Sequence, residues 1–176
     1  GADGECEAWE YSADAALQAM QEGELDGEGG ALSGASMPGA DLRGMDLTDA
    51  NLEFSDLVGA DLRDATLVGA RLLSAHLNEA VMSGADLSRV RAGSERPAAA
   101  AVLSQCDLSD AILDGADLRK AEVRFATLQR ARLNGADMRG ADFCHSNLCH
   151  VTASRALFIQ ANLREVSTGR TTLVIA

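Results

Sequence analysis

Two Cys-His pairs, Cys144-His145 and Cys149-His150, carry the side chains of this chain that are best suited to binding a metal ion. Thiolate and imidazole are the usual protein ligands of zinc, so these four residues are weak candidates for a metal site. The pairs are five residues apart, and whether they meet depends on the elements that carry them. We expect no metal, because that spacing places the two pairs on neighbouring sides of the fold derived below.

Motifs that assemble a catalytic centre are missing from the sequence. It contains no GxGxxG followed by an acidic residue, no phosphate-binding P-loop and no HExxH. The three histidines, His76, His145 and His150, do not belong to a recognisable nucleophile and base pair. We therefore predict a protein that is not an enzyme and has no cofactor.

Charge is distributed unevenly along the 176 residues. The chain has 27 Asp or Glu against 15 Lys or Arg, a net charge of −12. Residues 1–30 hold nine of the acids and no Lys or Arg, so the remaining residues carry 18 acids and 15 bases. A single Lys and this balance argue against direct nucleic-acid binding, which depends on clustered cations. No apolar run approaches the roughly 20 residues of a membrane-spanning helix.

A repeat of five residues runs from Leu32 to Leu163. Each block places a small residue two positions before a Leu, as in Ala60-Asp61-Leu62 and Ala116-Asp117-Leu118. On an α-helix, a step of five would scatter the leucines around the cylinder, because each residue advances by about 100°. In an extended segment, residues two apart share a side, so both apolar residues point inward. With turn-forming residues after each Leu, the sequence predicts short extended segments that stack as a solenoid.

These blocks resemble the A(D/N)Lxx consensus of the pentapeptide-repeat family, in its Leu-centred cyanobacterial and plastid type. The resemblance implies an all-β fold, a right-handed quadrilateral β-helix with four pentapeptides per coil and about seven coils. It also favours an exported or plastid location, because several Leu-centred members are found in the thylakoid lumen. We place the β-helix at residues 31–166, between an acidic N-terminal segment, 1–30, and an apolar C-terminal tail, 167–176.

One interruption breaks the repeat. Leu87 and Leu108 are 21 residues apart, one more than a coil, which predicts one looped-out residue near Glu95-Arg96-Pro97 in a bulged coil at 91–101. That register places Asp41, Asp61, Glu122 and Asn162 on one side, each two residues before an Arg that points outward with it. It places Arg71, Arg91 and Arg132 together on another side.

Both ends of a solenoid expose backbone edges that must be covered. We expect a short helix at Asp14–Gln21, with Ser12 as its N-cap, to cover the first coil. The last four residues, Leu173-Val174-Ile175-Ala176, are apolar and prone to β-structure. They are expected to pair with the final coil, with a second copy of the chain or with a partner.

A rigid rod without an active site is suited to binding another protein, because little ordering accompanies association. We predict a non-catalytic scaffold or accessory subunit of a larger assembly, with self-association through the C-terminal end as a further possibility. The family resemblance offers an alternative, an acidic DNA mimic that protects a type II topoisomerase. The candidate contact residues interrupt the repeat outward or lie in the tail: Phe54, Arg91, Arg96, Pro97, Phe125, Leu173, Val174 and Ile175.

Overall fold

The computed structural model describes residues 32–171 of the chain. The helix expected at Asp14–Gln21 and the tail residues Leu173–Ala176 lie outside the described residues, so both stay predictions. Within residues 32–171 the one helix is a 3-10 turn, Pro97–Ala99, and all other regular structure consists of single parallel β-bridges. None of the helices described is long and apolar enough to cross a membrane.

The bridges divide the described chain into four sides. Each bridged residue pairs with the residue one coil further on, 20 residues later outside the interruption, and four such ladders run in parallel. Side 1 contains Ser36, Asp56, His76, Val102, Glu122, Asp142 and Asn162. Side 2 contains Asp41, Asp61, Val81, Asp107, Thr127, Asn147 and Ser167. Side 3 contains Asp46, Thr66, Asp86, Ile112, Arg132 and Thr152. Side 4 contains Asn51, Arg71, Arg91, Asp117, Asp137 and Leu157. The result is a β-helix of four sides.

Five positions describe each repeat. The centre residue, usually Leu, points inward; the bridge position precedes it and the small position lies two before it. The flank position follows the centre, and the turn position comes next. Centre residues from Leu32 to Leu148 are at most 3% exposed, which forms one continuous apolar core. Burial of this area is the main stabilising term, about 25 cal/mol per Å² of apolar surface.

Polar atoms that enter this core are satisfied by backbone carbonyls. Ser55 and Ser146 occupy small positions, and their hydroxyls donate to the carbonyls of Leu52 and Val123 at 2.8 and 2.6 Å. No buried side-chain nitrogen or oxygen among residues 32–171 lacks a hydrogen-bond partner. Small polar side chains therefore replace Ala at these positions without leaving an unpaired buried group.

A turn closes each corner. The carbonyl of the centre residue accepts from the amide three residues later, as from Ala60 to Leu57 at 3.0 Å. The turn position has a left-handed backbone, with φ near +60°, which identifies a type II turn. Nine of these positions are Gly and sixteen are other residues, so the fold accepts side chains where Gly is favoured locally.

Asp and Asn recur at the bridge position for a structural reason. Their Oδ1 accepts a hydrogen bond from the backbone N–H of the flank residue, as at Asp46, where the Thr48 amide lies 3.0 Å away. Nine aspartates make this contact: Asp41, Asp46, Asp56, Asp61, Asp86, Asp107, Asp117, Asp137 and Asp142. They are half of the 18 acidic residues outside residues 1–30, so many of the carboxylates of the β-helix are hydrogen-bonded to the backbone beside the turn.

The interruption is six residues long, and the prediction of one looped-out residue is wrong. Arg71 bridges Arg91 at the regular 20, but His76 bridges Val102 at 26. We call residues 95–100 the insertion. The carbonyl of Ala92 still accepts from Ala101 N–H at 2.8 Å, the bond that closes an ordinary corner. The insertion is therefore looped out of a corner that remains closed.

This register corrects the predicted sides. Asp41 and Asp61 share side 2, whereas Glu122 and Asn162 lie on side 1. Arg71 and Arg91 share side 4, but Arg132 lies on side 3. The error has one cause. A count along the sequence cannot distinguish an insertion of one residue from an insertion of six, since both shift the five-residue pattern by one residue.

Candidate protein-interaction surfaces

Opposite charges alternate along side 2, as predicted for its first two repeats. Asp41 and Asp61 lie 2.6 and 2.5 Å from Arg43 and Arg63. The Arg43 guanidinium lowers the pKa of Asp41 to about 2, chiefly through its side-chain hydrogen bond. These pairs lie at the surface, where solvent screening leaves an ion pair with little net contribution to stability. They give the rod a mixed surface in place of a row of free carboxylates.

The predicted pairs on side 1 are formed differently. Arg124 turns away from Glu122 and pairs with Asp142 of the next coil at 2.6 Å. Arg164 approaches Asn162 only through its backbone N–H, at 3.2 Å. Ion pairs between coils were not foreseen from the sequence, because they depend on which residues stack.

Side 4, taken together with the insertion, is the only side with more basic than acidic residues in the described chain. It carries six Lys or Arg and four Asp or Glu. Side 1 carries two basic and five acidic residues, side 2 four basic and five acidic, and side 3 three basic and four acidic. Arg71 and Arg91 occupy adjacent rungs of its ladder and are exposed. Like charges on neighbouring rungs repel one another, so this arrangement does not stabilise the fold.

The insertion lies against this same side. Glu95 pairs with Arg119, and the Lys120 ammonium donates to the Glu95 carbonyl. Arg96 and Pro97, two predicted contact residues, are exposed at its tip. Arg119 and Lys120 were missed by the sequence analysis, because the one-residue register placed them on a different side.

Beside the insertion there is an open depression of about 340 Å³, lined in part by Arg119, Lys120 and Arg139. Its cations already have partners: Arg119 contacts Asp117 at 2.8 Å, and Arg139 contacts Asp137 at 2.7 Å. The depression thus offers neither an unpaired charge cluster nor an enclosed volume for a small ligand.

The two predicted aromatic contacts, Phe54 and Phe125, occupy turn positions and are 64% and 57% exposed. Phe54 lies at the corner of side 4. Phe125 lies at the corner of sides 1 and 2, where its ring stacks on His145 with a centroid separation of 4.8 Å. His145 Nδ1 in turn lies 3.1 Å from Glu165, so the three residues form an outward column across successive coils.

The Cys-His pairs do not converge. Cys144 and His145 occupy the flank and turn positions of side 1, and Cys149 and His150 those of side 2. The part of the chain that the structure describes contains no group of three or more His, Cys, Asp or Glu placed to hold a metal ion. Cys106 differs from both pairs: it fills a small position, is 1% exposed and donates to the Leu77 carbonyl. Burial raises its pKa to about 12, which keeps the thiol protonated.

Apolar side chains become exposed at the last described coil. Leu163 is a centre residue, yet it is 42% exposed, while Leu157 and Ile159 on side 4 are 36% and 62% exposed. In the first described coil, by contrast, Leu32 and Met37 are buried. We call Leu157, Ile159 and Leu163 the end-coil surface. The sequence analysis did not identify this surface, because its residues match the five-residue repeat as well as the buried residues do.

The repeat match decides the family. The model of pentapeptide repeats matches residues 31–64, 55–91, 99–135 and 126–165, with eight copies. The chain belongs to the pentapeptide-repeat family. The resemblance read from the Ala-x-Leu blocks is thereby confirmed, and the unmatched residues, 92–98, overlap the insertion.

Several solved pentapeptide-repeat proteins are similar to this one. A protein from the Arabidopsis thaliana thylakoid lumen is 27% identical over 65% of this chain and 69% of its own, with a TM-score of 0.34. HetL of the cyanobacterium Nostoc, involved in heterocyst differentiation regulation, is 28% identical over 81% and 76%, with a TM-score of 0.23. QnrB1, a plasmid-mediated fluoroquinolone resistance protein, is 14% identical over 85% and 87%, with a TM-score of 0.47.

Family membership therefore rests on the repeats, since none of these TM-scores reaches 0.5. A comparison with curated protein sequences gave no match.

Proposed function

We propose that this pentapeptide-repeat protein is a non-catalytic, rigid protein-interaction element, an accessory or scaffold subunit that binds its partner through the end-coil surface. The observation that carries the proposal is the exposure of Leu163. It is a centre residue, and its counterparts from Leu32 to Leu148 are at most 3% exposed. An exposed centre residue leaves apolar surface in contact with water, and covering that surface with a partner is favourable.

Two further features of the end coil support a protein partner. Ile159, at a flank position, extends the apolar area from the end onto side 4. The predicted tail residues Leu173, Val174 and Ile175 follow this coil in sequence, so they belong to the same proposed surface.

Native co-purification tests the proposal. The chain is recovered from its source under gentle conditions, and the proteins that accompany it are identified by mass spectrometry. Recovery with a membrane or photosynthetic complex would support the accessory-subunit role and the exported or plastid location that we predict. Light scattering of the purified chain shows whether the partner is a second copy.

Ile159→Glu is the variant that addresses the surface. Because Ile159 is exposed and outside the core, the fold is expected to survive while partner recovery falls at least about tenfold, a loss of about 1.4 kcal/mol. Val68→Glu, at a flank position of side 3, is the matched control and is expected to leave recovery unchanged. Deletion of Leu173–Ala176 is expected to weaken association without changing the β-rich circular dichroism. Equal losses in Ile159→Glu and Val68→Glu would contradict the proposed surface.

DNA mimicry makes a different prediction. An acidic mimic should inhibit topoisomerase supercoiling at low salt and lose this effect as salt screens its charge. The alternation of charge on side 2 and the aspartates engaged in corner hydrogen bonds favour the protein-interaction role. Inhibition by the purified chain at micromolar concentration would overturn that choice.

A further inference from the structure

Side 4 carries a basic and apolar patch near the N-terminal end of the solenoid. We call Arg71, Arg91, Arg96, Phe54 and Leu73 the basic patch. Arg71 and Arg91 are bridged neighbours, and the Phe54 amide donates to the Leu73 carbonyl at 2.9 Å, which places the two apolar residues on adjacent rungs. Phe54 is 64% exposed and Leu73 is partly buried.

The positive charge of this patch is only partly neutralised. Arg71 pairs with Glu53 at 2.7 Å. Among residues 32–171, Arg91 and Arg96 have no carboxylate within 4.0 Å, and both are exposed. Neighbouring arginines cost free energy through repulsion unless an anionic group lies across them. The patch therefore fits an acidic segment with an apolar residue.

A segment with that chemistry leads directly into side 4. Residues 22–30 read Glu-Gly-Glu-Leu-Asp-Gly-Glu-Gly-Gly, four acids around Leu25 with no basic residue. The chain then reaches Leu32 on side 4, where the Gly34 amide donates to the Glu53 carbonyl at 2.8 Å. Leu32, the first described residue after this acidic segment, lies one rung from the rung of Phe54, on the one side of the described chain with a basic excess.

Distances along the rod agree with this tether. At about 4.8 Å per rung, Arg71 lies about 10 Å and Arg91 about 14 Å beyond the first rung of side 4. An extended chain covers about 3.3 Å per residue, so Glu28 reaches about 13 Å from Leu32 and Glu22 about 33 Å. A short tether of this kind gives an effective concentration on the order of millimolar, enough for a weak electrostatic contact.

We propose that the acidic segment at residues 22–30 binds the basic patch of side 4 in the same molecule. Its carboxylates lie across Arg71, Arg91 and Arg96, and Leu25 contacts Phe54 and Leu73. This contact does not depend on the end-coil surface, which lies at the opposite end of side 4.

Zero-length carbodiimide cross-linking of the full chain tests this proposal, because it joins only amines and carboxylates in direct contact. In the Arg91→Lys variant, cross-links from position 91 to acids within residues 22–28 are expected in the monomer. Ser83→Lys provides the matched control at a similar height on side 2, facing away from the patch. We expect about a fivefold higher yield at position 91, falling towards the control in about 1 M salt, where charges are screened within about 3 Å.

Two additions keep the result decisive. Arg71→Lys, one rung nearer, repeats the measurement if Arg91→Lys fails to fold by circular dichroism. Removing patch charge with Arg71→Gln and Arg96→Gln in the Arg91→Lys chain should lower the yield, whereas Arg43→Gln and Arg63→Gln on side 2 should not. Equal yields at positions 91 and 83 would overturn the proposal. Cross-links found only between two molecules would overturn binding within one chain and assign the patch to a second copy.

Discussion

At the scale of single residues, backbone conformation at the corner controls what the repeat tolerates. Sixteen residues other than Gly hold left-handed φ values near +60° in the described chain, among them Phe54 and Phe125. Such a conformation costs about 1 kcal/mol or more in a residue with a Cβ. The repeat carries this cost because each corner is held on both sides by bridges to the neighbouring coils. Exposed side chains at corners are thus compatible with the fold and available for contacts.

Substitution of two glycines by Ala tests backbone strain at one position and steric conflict at the other. Gly59 has φ +67° and open space around an added Cβ, so Gly59→Ala should destabilise the protein by about 1 kcal/mol. Gly93 lacks the left-handed φ, but its Cβ would meet the backbone nitrogen of Arg119 and the Asp117 carboxylate. We expect Gly93→Ala to cost more than Gly59→Ala, since backbone cannot move aside as a side chain can. Thermal unfolding of the two variants measures both effects, and a smaller loss for Gly93→Ala would contradict this ranking.

At the scale of the repeat element, the insertion leaves the closing hydrogen bond of its corner in place, although Ser94 lacks the left-handed φ of the other turn positions around it. Ser94 occupies a turn position and Ala101 the next small position, so residues 95–100 are the only ones outside the five-residue pattern there. The hydrogen bond from Ala101 N–H to the Ala92 carbonyl already has the geometry of a closed corner, at 2.8 Å. The insertion still contacts the preceding coil, because the Ala99 carbonyl accepts from the Ser74 amide at 3.0 Å and Ala100 is buried.

Deletion of Glu95–Ala100 should leave a folded β-helix. It joins Ser94 to Ala101 and restores a regular coil, so we expect the circular dichroism to be unchanged and the midpoint of unfolding to move by only a few degrees. Loss of the Glu95 contacts to Arg119 and Lys120 contributes little, because they lie at the surface. The Ser74 amide, which donates to the Ala99 carbonyl, is expected to donate to the Gly93 carbonyl instead, at the 19-residue spacing of the Gly69 amide and the Ser88 carbonyl. Removing six residues from the next coil, 104–109, serves as the control and should prevent cooperative unfolding. A deletion of 95–100 that fails to fold would show that the insertion supports the core.

At the scale of the whole molecule, stability should depend on acid through the paired aspartates. Hydrogen bonds and Arg partners lower the pKa of Asp41 to about 2 and also lower the pKa values of Asp61, Asp137 and Asp142. In the unfolded chain these groups titrate near pH 3.9. Between about pH 4 and pH 2 the unfolded state therefore binds more protons, and lower pH favours unfolding.

We expect the melting temperature to fall steadily from about pH 4 to pH 2, with no contribution from these groups to its slope above about pH 5. The double variant Asp137→Asn and Asp142→Asn should make the decline shallower. Asn keeps the Oδ1 acceptor for the flank amide, as Asn147 does at 3.0 Å, but does not titrate. Thermal melts across this range measure the slope, and Glu79→Gln at an exposed turn position is the control. An unchanged slope in the double variant would mean that other carboxylates govern acid unfolding.

The sequence by itself determined the family, the five-residue period and the inward direction of each Ala and Leu, because every repeat meets the same local environment. It also located the interruption and the separation of Cys144 from Cys149. Only the tertiary structure decided which residues share a side, since insertions of one and six residues leave the same five-residue period but place every later residue on different sides. That register brings Arg71, Arg91 and the insertion together on side 4. The exposure of Leu163 was likewise decided in three dimensions, because the repeat pattern does not distinguish Leu163 from the buried centre residues.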